Sequence, residues 1–348
     1  MPKQPEQLQR KNEHLFLAEK FYSDEAKNGL EQIRFINNSL PEISLSEVNY
    51  QTTFFDKTID YPIYINAMTG GSEQSKKINE RLAKLARDLH LPMAVGSMSA
   101  ALKYPEVKDS YTIVRETNPD GIVIANISAK YTPQQAQKII EMIAADALQI
   151  HLNVTQELAM AEGDRDFYWL ENIKNIVNQV SVPVIVKEVG FGMSQETIAK
   201  LTKIGVKYID ISGAGGTDFV QIENARNHEV DTDFLDELKI STAESLLESQ
   251  LINSEVTIFA SGGIRTPLDV LKALRLGASY VGISGFILHQ VYQGDHEQAL
   301  TYMKKWLNNI KIASCAIGAR NIKELREQPI VLSSELENYL EQRKKLEY

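Results

Sequence analysis

The chain carries one cysteine in 348 residues, Cys315. An internal disulfide needs two thiols, and a thiolate zinc site or iron–sulfur centre needs several, so all three are excluded. A reducing, cytoplasmic setting is expected. Long apolar runs are also missing. Lys, Glu, Asp or Gly interrupts every hydrophobic stretch before the roughly 20 residues that cross a bilayer, so no membrane partner is expected. The opening MPKQPEQLQRKNEHLFLAEKF scatters charge where a secretory signal would carry an apolar core, and no export is expected. Positive charge is the scarcer sign. Lys and Arg number 37 against 46 Asp and Glu, for a formal net charge of −9. That balance argues against a nucleic-acid partner and leaves room for a local cationic pocket.

What is present suits a large folded core. Hydrophobic residues make up 43% and charged residues 24%, which excludes disordered and fibrous classes. Eight short β-rich runs recur: PIYINA at 62–67, PMAVG at 92–96, GIVIANI at 121–127, ALQIHL at 147–152, PVIVKEV at 183–189, YIDIS at 208–212, TIFA at 257–260 and YVGI at 280–283. They are almost continuously apolar, as parallel strands covered on both faces must be. Helical patterns separate them at 76–89, 133–146, 169–179, 195–204, 242–251 and 267–276. Thr132 and Thr266 stand as N-caps before Pro133 and Pro267, and Gly205 and Gly277 follow two helices where a left-handed residue is wanted.

Eight such units imply an α/β fold, a (β/α)8 TIM barrel, with an open doubly wound sheet as the other architecture. One domain over 1–348 is expected, with an N-terminal extension at 1–60, the barrel at 61–290 and C-terminal helices at 291–348. The helices should bury Trp306, Leu307, Ile310 and Ile312. The stretch at 214–241 is an insertion, expected to be a polar, mobile loop that bears on substrate.

Barrel chemistry sits just past the strand ends. There the sequence places Ala67, Met68, Thr69, Gly70 and Gly71, then Ser97, Asn126, Lys187, Ser212 with Thr217, Gly262 and Gly263 with Arg265, and Ser284 with Gly285. The last two groups follow strands seven and eight, where glycine amides and a helix N-terminus commonly hold phosphate. A glycine turn plus a surface arginine is the plainer reading of SGGIR. Lys187 lies within an apolar run, and a buried ammonium needs an acceptor or anion beside it. Gln149, His151 and Asn153 would share one face of the fourth strand and turn inward. With Gln156 and Glu157 they form a second polar group, and Glu157 suits Mg2+ held by one carboxylate, substrate phosphate and water. Arg10 and Lys11 read equally as ligand cations or as a charged helix face.

These segments taken together resemble the type 2 isopentenyl-diphosphate isomerases, a flavin-dependent barrel family. The resemblance runs through RKNEH at 10–14, AMTGG at 67–71, GSMSA at 96–100, QIHLNVTQE at 149–157, GDRDF at 163–167, VKEVGFGMS at 186–194, ISGAGGTDF at 211–219 and SGGIRTPLDVLKALRLGA at 261–278. It implies FMN held by Ala67, Met68, Thr69, Ser97, Asn126, Lys187, Ser212, Thr217, Gly262, Gly263, Ser284 and Gly285. Arg265 is added as a phosphate contact from its chemistry. The resemblance implies isopentenyl and dimethylallyl diphosphate bound by Arg10, Lys11, His151, Asn153 and Gln156, and Mg2+ on Glu157. Gln156, His151 and Lys187 would carry the catalytic roles, with NADPH as reductant and a homotetramer or homooctamer as the assembly. Two other readings stay open: an FMN-dependent 2-hydroxy-acid oxidase, and a flavin-binding protein without catalysis. The oxidase uses a histidine and an arginine after the sixth strand, where this chain offers neither before Arg226 and His228.

Overall fold

A computed structural model describes residues 6–226, 231–253 and 255–345. Helix α1 (Glu6–Lys20), strand β1 (Ile33–Phe35) and the antiparallel hairpin β2 (Thr52–Phe54) and β3 (Lys57–Ile59) come first. Eight parallel strands follow: β4 (Ile63–Ile65), β5 (Met93–Ala94), β6 (Val123–Ser128), β7 (Ala147–His151), β8 (Val184–Lys187), β9 (Tyr208–Asp210), β10 (Thr257–Ala260) and β11 (Tyr280–Ile283). Each pairs with its chain neighbours and β11 pairs back onto β4, so the sheet closes and the expected TIM barrel is the fold. The apolar runs are thereby covered on both faces.

Helices α2 (Glu73–Leu89), α4 (Asp109–Thr117), α5 (Pro133–Met142), α7 (Leu170–Gln179), α8 (Gln195–Lys203), α10 (Thr242–Gln250) and α11 (Pro267–Arg275) return the chain between strands. Shorter α3 (Ser99–Lys103) and α6 (Val154–Ala159), and α9 (Phe219–Arg226), belong to the loops. After β11 come α12 (Gly285–Gln293), α13 (His296–Ile317), α14 (Ile322–Glu327), strand β12 (Ile330–Leu332) and α15 (Ser334–Lys344). The caps fall where the sequence put them. Thr132 accepts from the Gln135 amide and Thr266 from the Asp269 amide, while Gly205 and Gly277 take φ of 94° and 103°.

Several expectations are corrected. The run at 183–189 stops at Lys187, because the Glu188 carboxylate collects the backbone N–H groups of Val189, Gly190 and Phe191 and curls the chain out of the sheet. The helix expected over 133–146 ends at Met142, before Asp146 accepts from Arg115 and the Val123 amide at the mouth of β6. Ile312 is exposed while Trp306, Leu307 and Ile310 are buried, since it lies off their stripe on α13. The insertion is no plain loop: α9 lies within it and buries Val220, Ile222 and Glu223. His228 and the rest of 227–230 lie outside the described residues.

One feature closes the barrel at the end away from the C-terminal strand ends. The β2–β3 hairpin drives Phe54 against Tyr64, Phe259 and Tyr280, with ring centroids 6.0, 5.7 and 4.7 Å away. Tyr64, Phe259, Tyr280 and Ala147 lie at the starts or within their barrel strands and Ile122 just before β6, so the hairpin plugs that end. Strands β1 and β12 pair antiparallel, Ile33 opposite Leu332, and tie the N-terminal extension to the C-terminal helices.

Candidate active site

A plug at one end leaves the other for ligand. Past the C-terminal strand ends lies a cavity of about 750 Å³. It is lined by every residue assigned a ligand role above, from Arg10 and Lys11 through His151, Asn153, Gln156, Glu157 and Lys187 to Ser284 and Gly285. Gly70 and Gly71 do not line it. Their role is packing, since a Cβ on Gly70 would lie 2.0 Å from the Tyr111 ring.

The wall after β10 and β11 is backbone. Gly262 and Gly263 adopt φ of 103° and 69°, and a Cβ on Gly262 would meet the Gly213 carbonyl oxygen at 1.9 Å. Only glycine fits this turn. Arg265 braces it, donating from Nη1 to the Gly263 carbonyl at 2.8 Å and from Nη2 to the Gly215 carbonyl at 2.7 Å. Helix α12 begins beside it, with no side-chain cap on Ser284 to occupy its amides, and Ser284, Gly285 and Phe286 face the cavity. An uncapped helix start with a glycine turn is an anion cradle. Ser212, a non-glycine with φ of 33°, lines the cavity nearby in a conformation that stores strain.

Across the barrel, β7 and β8 present polar groups in one row, with His151 opposite Lys187 and Lys187 opposite Asp210. Lys187 is buried and Nζ donates to the Glu188 carbonyl at 2.6 Å. An ammonium has three donors. Burial lowers its pKa against the opposing pull of Asp210 and Glu188. His151 Nδ1 lies 2.7 Å from Asn126 Oδ1, and burial, then the charges of Lys187, Lys11 and Lys130, push its pKa down to about 3. Burial and then Arg10 bring Lys11 down to about 8. Three cations crowd an imidazole with little solvent, an arrangement that an anion relieves. Ser128 Oγ, Asn153 Oδ1 and Arg10 Nε are buried without a hydrogen-bond partner among the described residues, and all three residues line the cavity. Buried polar atoms of that kind call for a ligand.

Glu157 accepts from Asn153 Nδ2 at 3.0 Å on one oxygen and from the Asp164 amide at 2.7 Å on the other. Each carboxylate oxygen keeps a second lone pair. Among the described residues no three His, Cys, Asp or Glu side chains gather as a metal cage, so Glu157 suits an ion completed by substrate oxygens and water.

The sequence missed the residues that hold α1 over the opening. Glu223 on α9 has no exposed surface, pairs with His14 Nε2 at 2.7 Å and with Arg226, and accepts from Gln156 Nε2 at 3.4 Å. Burial alone would raise its pKa; the bond from His14 and the charges of His14 and Arg226 outweigh burial and lower it. Arg226 reaches Glu13 at 2.8 Å, and Arg10 reaches Glu162 at 3.2 Å. A charged residue in the middle of VQIENAR carries no local sign of this burial, because its partners come from α1.

A closed parallel barrel with a glycine turn and an uncapped helix start after its last two strands defines the class. The model of the FMN-dependent dehydrogenase family matches residues 106–332. Solved structures share the fold: a mandelate oxidase variant with 2-hydroxy-phenylacetamide, 15% identical with a TM-score of 0.64, covers 94% of this chain and 98% of that one. A flavocytochrome b2 variant, 19% identical with a TM-score of 0.65, covers 96% of this chain and 81% of that one. Within that class the chain belongs to the isopentenyl-diphosphate isomerase family, in its FMN-dependent type 2 form. It is 51% identical to isopentenyl-diphosphate delta-isomerase of Latilactobacillus sakei over 98% of both chains, and 46% identical to that of Staphylococcus aureus over 96% of both.

Proposed function

We propose that the protein converts isopentenyl diphosphate to dimethylallyl diphosphate by a 1,3-allylic proton shift, using reduced FMN and Mg2+, in isoprenoid biosynthesis. One observation supports this most: a single cavity holds an anion cradle after β10 and β11 and, on and just after the opposing β7, His151, Asn153, Gln156 and Glu157 beneath Arg10 and Lys11. Two anionic groups can thus be held across one cavity. The glycine turn, the open α12 start and the unpartnered Ser128 hydroxyl fit FMN, with its phosphate on Gly262, Gly263, Ser284 and Gly285. Ala67, Met68, Thr69, Ser97, Asn126, Ser212 and Thr217 would line the rest. The Thr69 hydroxyl is bonded to Ser75 at 2.8 Å and its carbonyl accepts from the Gly96 amide at 2.9 Å and from Asn79 Nδ2 at 3.2 Å, which leaves its backbone N–H for the cofactor. Arg265 would act by bracing the turn.

Reduced FMN, when bound, supplies an acid–base group for an alkene carbon that no side chain here is acidic enough to protonate. The chain does the rest. Lys187 sets positive charge where an anionic ring needs it. Arg10, Lys11 and Asn153 bind diphosphate, whose binding energy positions a hydrocarbon that offers no polar handle. Glu157 anchors Mg2+ against the same diphosphate. Gln156, held between Asn153 and Glu223, is placed to orient the reacting end. NADPH as reductant, a homotetramer or homooctamer, and a cytoplasmic location complete the reading. No helix among the described residues is long and apolar enough to cross a membrane.

The hydroxy-acid oxidase reading loses its arginine. Arg226 is spent on Glu13, Glu162 and Glu223, so it has no free face for a substrate carboxylate. The non-catalytic reading leaves Gln156, His151 and Glu157 gathered without purpose. The test is anaerobic incubation of isopentenyl diphosphate with the FMN-loaded protein, dithionite and Mg2+. Dimethylallyl diphosphate should appear; a flavin-free protein, or none of that product, would remove the reading.

A further inference from the structure

Asp210 ends β9 inside the barrel with no exposed surface, and it does not line the cavity. Its carboxylate accepts from the Tyr64 hydroxyl at 2.7 Å, Asn66 Nδ2 at 2.9 Å, the Ser261 hydroxyl at 2.8 Å and the Ser212 amide at 3.1 Å. A chain of amides runs from it across the barrel. Gln149 Nε2 donates to Asn66 Oδ1 at 3.0 Å, Asn126 Nδ2 donates to Gln149 Oε1 at 3.1 Å, and Asn126 Oδ1 faces His151 Nδ1 at 2.7 Å.

The chain has one allowed direction. A carboxylate only accepts, so Asn66 turns its NH2 toward Asp210 and its oxygen toward Gln149. The Ala67 backbone N–H, donating to the same Asn66 oxygen at 2.8 Å, enforces the same sense. Gln149 must then offer its oxygen to Asn126, and Asn126 must offer its oxygen to His151. An amide oxygen cannot donate, so the proton lies on Nδ1.

We propose that Asp210 is a positioning residue that acts through Asn66, Gln149 and Asn126 to hold His151 as the Nδ1–H tautomer, leaving Nε2 as the atom that exchanges a proton with the ligand. Asp210 touches no ligand itself. A neutral His151 so held presents a lone pair, and it donates to a phosphate oxygen only after taking up a proton at Nε2. Burial and the facing charges of Lys187, Lys11 and Lys130 keep it neutral until an anion arrives.

The test needs no substrate and so stands apart from the isomerase reading. The FMN-loaded protein is labelled with 15N-histidine, and proton–nitrogen correlation spectra report which ring nitrogen of His151 carries hydrogen, with His151→Gln for assignment. The wild type should show Nδ1–H alone across neutral pH. In Asp210→Asn the Ser212 amide draws the new side-chain oxygen, its NH2 opposes that of Asn66, and the relay loses its single sense. Gln149→Leu cuts the relay without altering charge. Both variants should show the Nε2–H form in place of, or mixed with, Nδ1–H. A wild type protonated at Nε2 overturns the proposal. So does an Asp210→Asn protein that keeps Nδ1–H alone, and should that variant not fold, an unchanged tautomer in Gln149→Leu does the same.

Discussion

Lys187 shows what one residue can carry. Its ammonium is buried, its one hydrogen bond among the described residues goes to a backbone carbonyl, and the residue lines the cavity. Lys187→Ala should weaken FMN binding by at least about tenfold, the scale of one lost charge-assisted contact, in a fluorescence titration of the apoprotein. Unchanged affinity and turnover would make the lysine structural. His151 yields a second prediction. Its pKa in the folded chain is about 3 against an unfolded 6.5, so below pH 6.5 the unfolded chain binds a proton that the fold refuses. Stability from this group is complete above pH 6.5 and is lost as pH falls toward 3. In His151→Gln the ligand-free protein should lose less of its urea midpoint between pH 7 and 4 than the wild type does; identical slopes would contradict the burial described. Both residues were legible because a polar side chain in an apolar run needs a reason. Asp210 obeys the same rule in YIDIS, yet its partners come from β4, β10 and the β9 exit, and no single segment shows them.

At the scale of elements, the turn after β10 and helix α9 carry the site. Gly262→Ala would set a Cβ into the Gly213 carbonyl at a φ that costs about 1–3 kcal/mol before any clash. The variant should melt lower and purify with little or no flavin, and a normal melt with full flavin occupancy would show the turn to be tolerant. Helix α9 tests the latch. Arg226→Met removes the cation between Glu13 and buried Glu223, so α1, with Arg10 and Lys11, should lose its seat. KM for isopentenyl diphosphate should rise several-fold while kcat changes less, and the reverse split would place Arg226 in the chemistry. The glycine turn could be read from sequence because its geometry is local. Helix α9 could not: FVQIENAR has no apolar stripe, and its burial depends on ion pairs with a helix some 200 residues away in sequence.

Across the whole molecule, eight apolar runs with helices between them made the barrel and its active end legible, since strand order and right-handed crossovers leave few other closures. The opposite end was not legible. The β2–β3 strands are three residues each, and β1 finds β12 only at the far end of the chain, so neither leaves a pattern. The plug makes the barrel a vessel open on one side, and the function proposed above has proton transfer to an alkene proceed there with no net change in flavin oxidation state. That claim is tested by proton NMR of isopentenyl diphosphate turnover in D2O, under anaerobic conditions, with FMN-loaded protein, Mg2+ and only enough dithionite to reduce the flavin once. Many product molecules per reducing equivalent, with solvent deuterium in the dimethylallyl diphosphate, are the predicted result. One turnover per equivalent, or product free of solvent deuterium, would contradict it.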